Sequence, residues 1–420
     1  LVESTGCLGG MGTSGLVCDF DPMANGEVML VGGIMREAVE TLYQRGFYEP
    51  NVNPDIWRKN YHCWTRFNPE GFKLILDEMA MAAGVEVRFF TKVIDAKADN
   101  GIVEGVVINN VEGYSFIKAK TFIDATGDAV LSYLCGAETK EAGVDSEKIM
   151  PPSVPALFAN VDWSHGKIST QTPEYVELIE KEYELGNFEQ CDRLLVGITR
   201  IGESVGYLNG GHVFDTNALN IRQLSDGMIT GRRIAQHNLN FLKKYLPSCK
   251  NMELIATSSL MGIRETRRIV GEYELNFDDY YSRRKFPDQI GVFNKFVDIH
   301  PYSCDKAEFE KFLKNKDTER IGAGEYFGIP YGILVPKGFK NLWVAGRCNS
   351  SDVRVSGSIR VMPAAAMMGQ AAGTAAVQSI RTSEPANVLD TEQLVTTLRE
   401  NGAYLPQEIL SKRMTVIGTP

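Results

Sequence analysis

The chain has 420 residues, with 44 basic against 53 acidic side chains for a net charge of −9, 44% hydrophobic and 23% charged residues. That length is about three typical domains, which excludes a single small binding module and predicts two packed domains or one large α/β domain with an insertion. The composition is that of a globular protein with a sizeable core, and its cations are not clustered, which argues against disorder, a nucleic-acid surface or an anionic membrane surface. The eight cysteines are scattered without a C-x-x-C pair. They read as reduced thiols of a cytoplasmic protein, with no zinc, iron–sulfur or other metal framework. No apolar run reaches the length of a membrane span, and LVESTGCLGG has neither the basic nor the apolar part of a leader. The 40 glycines are an excess, and glycine accumulates where backbone turns tightly or approaches a ligand.

In chain order, Leu1-Val2-Glu3 reads as the end of a buried strand with an acid at its carboxyl end, followed by the loop GCLGGMGTSG. A helical pattern covers 27–45. A second helix over 66–83 is opened by Asn68 as N-cap, Pro69 at its first position and Glu70, and closed by Gly84. Three β-rich runs, VEVRFFTKVIDAKAD, GIVEGVVINN and YSFIKAKTFIDAT, are separated by turns at Asn100-Gly101 and Glu112-Gly113. They predict a strand, a small β-meander and a returning strand that ends at Ala125. His62 and Cys63 beside Trp64 read as core. From about 142 the chain gains charge and aromatic residues, with helices at 173–185 and 224–245, which predicts a second domain. The strand Leu342-Trp343-Val344-Ala345 then leads through a Gly/Ser/Asn-rich loop into a small-residue helix over 361–381, a linker and a terminal helix over 391–400.

A G-x-G-x-x-G stands at Gly10, Gly12 and Gly15, but the dinucleotide fingerprint must follow a full strand and open a helix. Here only Leu1 and Val2 precede Glu3, and Asp19-Phe20-Asp21-Pro22 interrupts the stretch after Gly15, so the match reads as a decoy. Glu3 fits another role, the acid at the end of the second strand of a nucleotide-binding βαβ unit, which bonds the ribose hydroxyls; the alternative is a surface acid. If Glu3 is that acid, the first strand, phosphate loop and first helix lie ahead of residue 1. Two strand-to-glycine junctions, at Ala125-Thr126-Gly127-Asp128 and at Gly346, occupy the place where open α/β sheets bind ligands. The second leads to Gly357 and a helix start at Ile359-Arg360-Val361, whose free N–H groups suit a phosphate or a reduced flavin. Together these loops point to one large planar cofactor.

LVEST-CLGGMGTSGLV, FIDATGDAVLSYLCGAE and NLWVAGRCNSSDVRVSGSIRVMPAAAMMGQAAGTAA resemble the FAD-dependent oxidoreductases of the glutathione-reductase-like fold, in the branch of the succinate dehydrogenase and fumarate reductase flavoproteins. MGIRETRRIVGEYEL and IPYGILVPKGFKNLWVAGR are similar to a bacterial subgroup of that branch. The resemblance runs to about residue 405. It implies an α/β fold: a Rossmann-like FAD domain with a parallel sheet and a β-meander over 1–141 and 326–382, an inserted α+β substrate domain over 142–325, and a helical extension over 383–420. It implies FAD held by Glu3 at the ribose, Gly9, Gly10, Met11 and Thr13 beside the flavin, and Val93 near adenine through its backbone. Ala125, Thr126, Gly127, Asp128 and Gly346 would flank the cofactor, and Gly357, Ser358, Ile359, Arg360 and Val361 would hold the pyrimidine edge. Where many relatives have Gly-Asp this chain has Gly346-Arg347, so Arg347 faces either the substrate or an acid.

For the chemistry, Gly262-Ile263-Arg264-Glu265-Thr266-Arg267-Arg268 is the richest cluster, since arginine forks bind carboxylates. On a helix Arg264 and Arg268 would share a face; the alternative is pairing with Glu265, Glu272 or Asp278. Among the histidines, His300 in VDIHPYS sits before a proline turn and is the first candidate proton carrier, with His212 second; the alternative for each is a packed residue. The function expected is hydride transfer between flavin and a small, anionic organic substrate, with an electron partner and oligomeric state left open. Two alternatives stand beside it: a flavin-fold protein without cofactor or catalysis, and an NAD-dependent dehydrogenase using Gly10 to Gly15.

Overall fold

The computed structural model describes residues 1–48 and 65–406; His62, Cys63 and Trp64 lie outside the described residues, as does the chain after 406. Val2 lies parallel to Arg88, and Phe122–Asp124 lies parallel to Leu342–Val344. Against the first pair packs the antiparallel meander Lys92–Asp99, Ile102–Asn110 and Gly113–Lys118, turning at Asn100-Gly101 and at Gly113 as the sequence predicts. Helix Pro69–Ala82 begins where the sequence sets it, because the Asn68 Oδ1 accepts from the Glu70 and Gly71 N–H groups at 2.9 and 3.3 Å.

The first helix is Gly33–Gln44, not 27–45. The Asn25 Oδ1 accepts from the Glu27 and Val28 N–H groups, and this side-chain turn bends residues 24–29 back on themselves with a bridge between Ala24 and Met29. Helix Met362–Thr382 is the axis of the larger core, burying Ala364, Ala371, Ala372 and Ala375 completely. Gly33, at the start of the first helix, lets the chain come close to it: a Cβ built there would sit 2.0 Å from the Gln370 side chain.

A second unit is an antiparallel sheet in the order Glu253–Thr257, Ala156–Ala159, Gly206–Leu208, Thr199–Arg200. Helices Pro173–Glu184 and Ile221–Tyr245 close over its own core of Phe158, Leu195, Leu239 and Met252. The hairpin Gln289–Phe293 and Phe327–Pro330 instead places Ile290, Phe293, Phe327 and Ile329 in the larger core with Phe20, Val39 and Trp343. Within the stretch 142–325 the side chains are thus divided between two cores. Among the described residues no helix is long and apolar enough to cross a membrane.

Candidate active site

Asp124 is 1% exposed and shapes the first junction. Its Oδ1 accepts from the Thr126 N–H (3.1 Å) and hydroxyl (2.7 Å), and its Oδ2 from the Ser132 N–H (2.8 Å) and hydroxyl (2.9 Å). The staple bends the chain after Ala125 through Gly127 (φ +76°) at the carboxyl ends of the parallel strands. Alongside, Gly346 (φ +88°) passes over helix Met362–Thr382, where its Cβ would meet that of Ala365 at 3.7 Å. Arg347 donates to Asp128 (2.6 Å) and to the Thr266 hydroxyl (3.0 Å), which itself donates to Asp128 (2.7 Å). Of the two roles expected for Arg347, it takes the acid.

Gly9 (φ +98°) and Gly10 (φ +48°) open a single tight turn over Gly10–Gly12, closed by the Thr13 hydroxyl donating to the Leu8 carbonyl at 2.6 Å. No helix follows until Gly33, so these glycines lack the context of an NAD fingerprint. A Cβ on Gly12 would lie 2.9 Å from both Met362 and Phe72, while one on Gly10 meets nothing within 4 Å. Met11 is wrapped by the turn, its Cα 2.8 Å from a Cβ on Gly15. The loop thus rests against the start of helix Met362–Thr382, whose N-cap Val361 supplies no side-chain cap. The amides of that first turn are available to an anionic or electron-rich group. The Glu3 carboxylate accepts from the Thr5 N–H (2.7 Å) and hydroxyl (2.9 Å), and its carbonyl accepts from Thr91 (2.9 Å), two residues from Val93. Val93 is paired with Ile108 in the meander. Gly357, Ser358 and Ile359 are inside the short helix Val353–Ile359 and buried, not in an open loop; the Ser358 hydroxyl donates to the Lys295 carbonyl at 2.7 Å. Arg360 and Val361 alone of that group reach the long helix's start.

Beneath that start runs a line of polar groups, His212 buried and Asp192, Asp298, His300 and Arg360 partly so. Asp298 packs on Gly357, where a Cβ would be 3.2 Å from its backbone. The Arg360 Nη2 donates to the Asp298 carbonyl (3.0 Å) and carboxylate (3.2 Å). The Asp298 Oδ2 lies 3.4 Å from the His300 Nε2, and the His300 Nδ1 is 2.7 Å from the His212 Nε2. The His212 Nδ1 is 3.1 Å from the Asp192 Oδ1, whose other oxygen accepts the His212 backbone N–H at 2.7 Å. Burial, reinforced by the charge of Arg264, holds the His300 imidazole well below its ordinary pKa. Burial alone would raise both carboxyls, yet His300, Lys295 and Arg360 hold Asp298, and His212 holds Asp192, below the usual range. Nothing in the residues around Asp192 marks it in advance; the only local hint of Asp298 is its two-residue spacing from His300.

Arg264, 7% exposed, lies near enough to His300 for its charge to act on the imidazole. Its guanidinium donates to the Pro151 carbonyl (2.6 Å) and the Ser153 hydroxyl (3.4 Å), with no carboxylate at ion-pair distance among the described residues. Burial, then repulsion from Arg360, pulls its pKa down to about 9. The expectation that Arg264 and Arg268 share a helical face is corrected: Arg267–Ile269 is a strand paired with Thr139–Glu141. Successive side chains alternate there, and Arg268, 1% exposed, is turned away to Asp145 and the Ser351 carbonyl.

The model of the FAD dependent oxidoreductase family matches residues 1–398. The chain belongs to this family. Its cofactor is FAD, and the open face at Gly10 and the uncapped helix start fit it. A search of curated proteins finds no match. Among solved structures, this oxidoreductase is similar to a geranylgeranyl bacteriochlorophyll reductase-like protein from Thermoplasma acidophilum, at 12% identity and TM-score 0.39, covering 84% of this chain and 62% of that one. It is also similar to p-nitrophenol 4-monooxygenase from Pseudomonas putida (10%, TM-score 0.36, 94% and 66%) and to L-proline dehydrogenase from P. horikoshii (14%, TM-score 0.33, 87% and 68%). The chain spans 46% to 62% of the length of the reductase-like protein and of two flavin-dependent halogenating enzymes that it also matches.

Proposed function

We propose that this FAD-dependent oxidoreductase transfers a hydride between the flavin and a small organic anion, with Arg264 holding the anionic group and His300 carrying the proton. The observation that carries this reading is a buried guanidinium without a carboxylate partner beside an imidazole held neutral. A bound carboxylate would take the free guanidinium edge as a charge-assisted pair, and a neutral imidazole accepts a proton at the unprotonated nitrogen. FAD when bound supplies the two-electron redox chemistry. Gly9 to Thr13 and the amides after Val361 would hold its ring, Glu3 its ribose, the Val93 backbone its adenine, and the junctions at Ala125–Asp128 and Gly346 its flank. Membership in the succinate dehydrogenase and fumarate reductase branch and a bacterial origin rest on the sequence motifs, and a cytoplasmic location on the scattered cysteines.

Anaerobic titration of the FAD-loaded protein with hydroxy, amino and unsaturated acids, followed by flavin absorbance, tests it. One class should reduce or perturb the flavin. Arg264→Met should raise the half-saturating concentration at least tenfold, the effect of losing a hydrogen bond to a charged group of about 1.5–3 kcal/mol. Equal affinity of wild type and variant for every acid would overturn the assignment.

A further inference from the structure

The line of polar groups does not stop at His300. Beyond His212 and Asp192 lies a cavity of about 10 Å³ inside the inserted unit, walled mainly by apolar Ile179, Phe188, Leu195 and Ile234, with Gln190, Asp192, His212 and Asn238 as its polar side. That is the room one water molecule needs, provided that the wall offers two or more polar partners. The wall does: the Gln190 Oε1 and the Asn238 Nδ2 are buried without a hydrogen-bond partner among the described residues, and the Asp192 carboxylate borders the same space. Glu189 is exposed and reaches Arg233 on the surface helix at 3.3 Å, so the cavity lies one residue from solvent.

We propose that His212 and Asp192 continue a proton path from His300 to a water in this cavity, and so to solvent through the inserted unit. The proposal rests on the reading of His300 as the proton carrier. In the starting state of the path the His212 Nδ1 donates to Asp192, the His212 Nε2 accepts the His300 Nδ1–H, and the His300 Nε2, facing the Asp298 carboxylate at 3.4 Å, is the base. When a substrate O–H or N–H gives its proton to the His300 Nε2, an N–H bond forms there beside the Asp298 carboxylate. The Nδ1–H bond of the same ring breaks as the His212 Nε2–H forms across 2.7 Å. The His212 Nδ1–H then passes by Asp192 to the cavity water. One proton enters and one leaves, and no electrons move along the path. A proton returned along the same path restores the starting tautomers, whereas a second proton in the same direction first requires both rings to turn over.

The charged groups facing the two rings are Arg264 and Asp298 at His300 and Asp192 at His212, with Arg360, Lys295 and Lys316 reaching Asp298; the rings of Phe312 and Phe214 supply the apolar sides. Burial and then Arg264 outweigh the Asp298 carboxylate in opposing a lasting charge on His300, so an incoming proton is driven onward toward Asp192.

Two measurements test the path. In cofactor-free protein labelled with nitrogen-15 histidine, long-range proton–nitrogen correlation spectra should show His212 protonated at Nδ1 and His300 at Nδ1. Asp192→Asn, nearly the same shape, should move the tautomers of both rings. A His300 signal indifferent to Asp192→Asn overturns the proposal. In FAD-loaded protein, His212→Gly should slow flavin reduction on the order of a hundredfold, the scale of a lost acid–base contribution. It should leave anion binding unchanged, and added imidazole should restore the rate. A rate unaffected by the substitution, or not restored by imidazole in a protein that still binds the anion, overturns it as well. Loss of the anion response in Arg264→Met reports on the parent reading alone, so failure of the path and failure of that reading are told apart.

Discussion

At Gly10 a single backbone angle separates folding from cofactor binding. Its φ of +48° disfavours a side chain, yet a Cβ there meets no protein atom within 4 Å. Gly10→Ala is therefore expected to cost only about 1 kcal/mol of left-handed strain while placing a methyl group on the face proposed for the flavin. Melting of the cofactor-free protein should change little, and the flavin retained on purification should drop sharply; equal retention would remove Gly10 from the site. Arg268 makes the opposite contrast with Arg264. Its guanidinium is committed to Asp145, so Arg268→Met should destabilise by about 3 kcal/mol or more, as breaking buried pairs does. Folded Arg268→Met protein should keep wild-type affinity for the anion, whereas Arg264→Met should lose it. Two arginines four residues apart in one motif look equivalent as letters. Their difference lies in a strand partner over a hundred residues away, at Thr139–Glu141, which no local spacing encodes.

Elements whose ends carry local chemistry were legible, and those defined by distant partners were not. Asn68-Pro69-Glu70 announces helix Pro69–Ala82 because the cap is made within three residues, and Asn68→Ala should cost about 1 kcal/mol in urea unfolding. The alanine run of Met362–Thr382 likewise announces a helix built for close approach. Ala372 is fully buried there, so Ala372→Leu should cost about 1–3 kcal/mol through overpacking. By contrast, the relay draws His212 and Asp192 from loops of the inserted unit and His300 from a loop of the larger core. Each is ordinary in its own neighbourhood, and only the tertiary meeting gives it chemistry. The glycine turns at Gly127 and Gly346 were readable for the converse reason: glycine at a strand end is a local requirement.

The whole molecule should be acid-labile for a reason that its buried site supplies. His300 is held neutral when folded but takes up a proton near pH 6.5 when unfolded, so the unfolded chain binds more protons and stability falls as pH drops through that value. Asp192 and Asp298, held below their usual range, add stability that is present above about pH 4 and lost as pH falls further. Unfolding free energies between pH 8 and 5 should decline, and His300→Asn should flatten the upper part of that decline. The insertion and the cofactor unit share the bond between His212 and His300, although 88 residues separate the two rings. Imidazoles tolerate only a few tenths of an ångström before such a bond fails, so a small tilt of the inserted sheet interrupts the line at one defined place. The contact then acts as a clutch: acid–base traffic with solvent is engaged only while the two units are seated together, and thickening the solvent should slow proton exchange at the buried ring before it slows anything else.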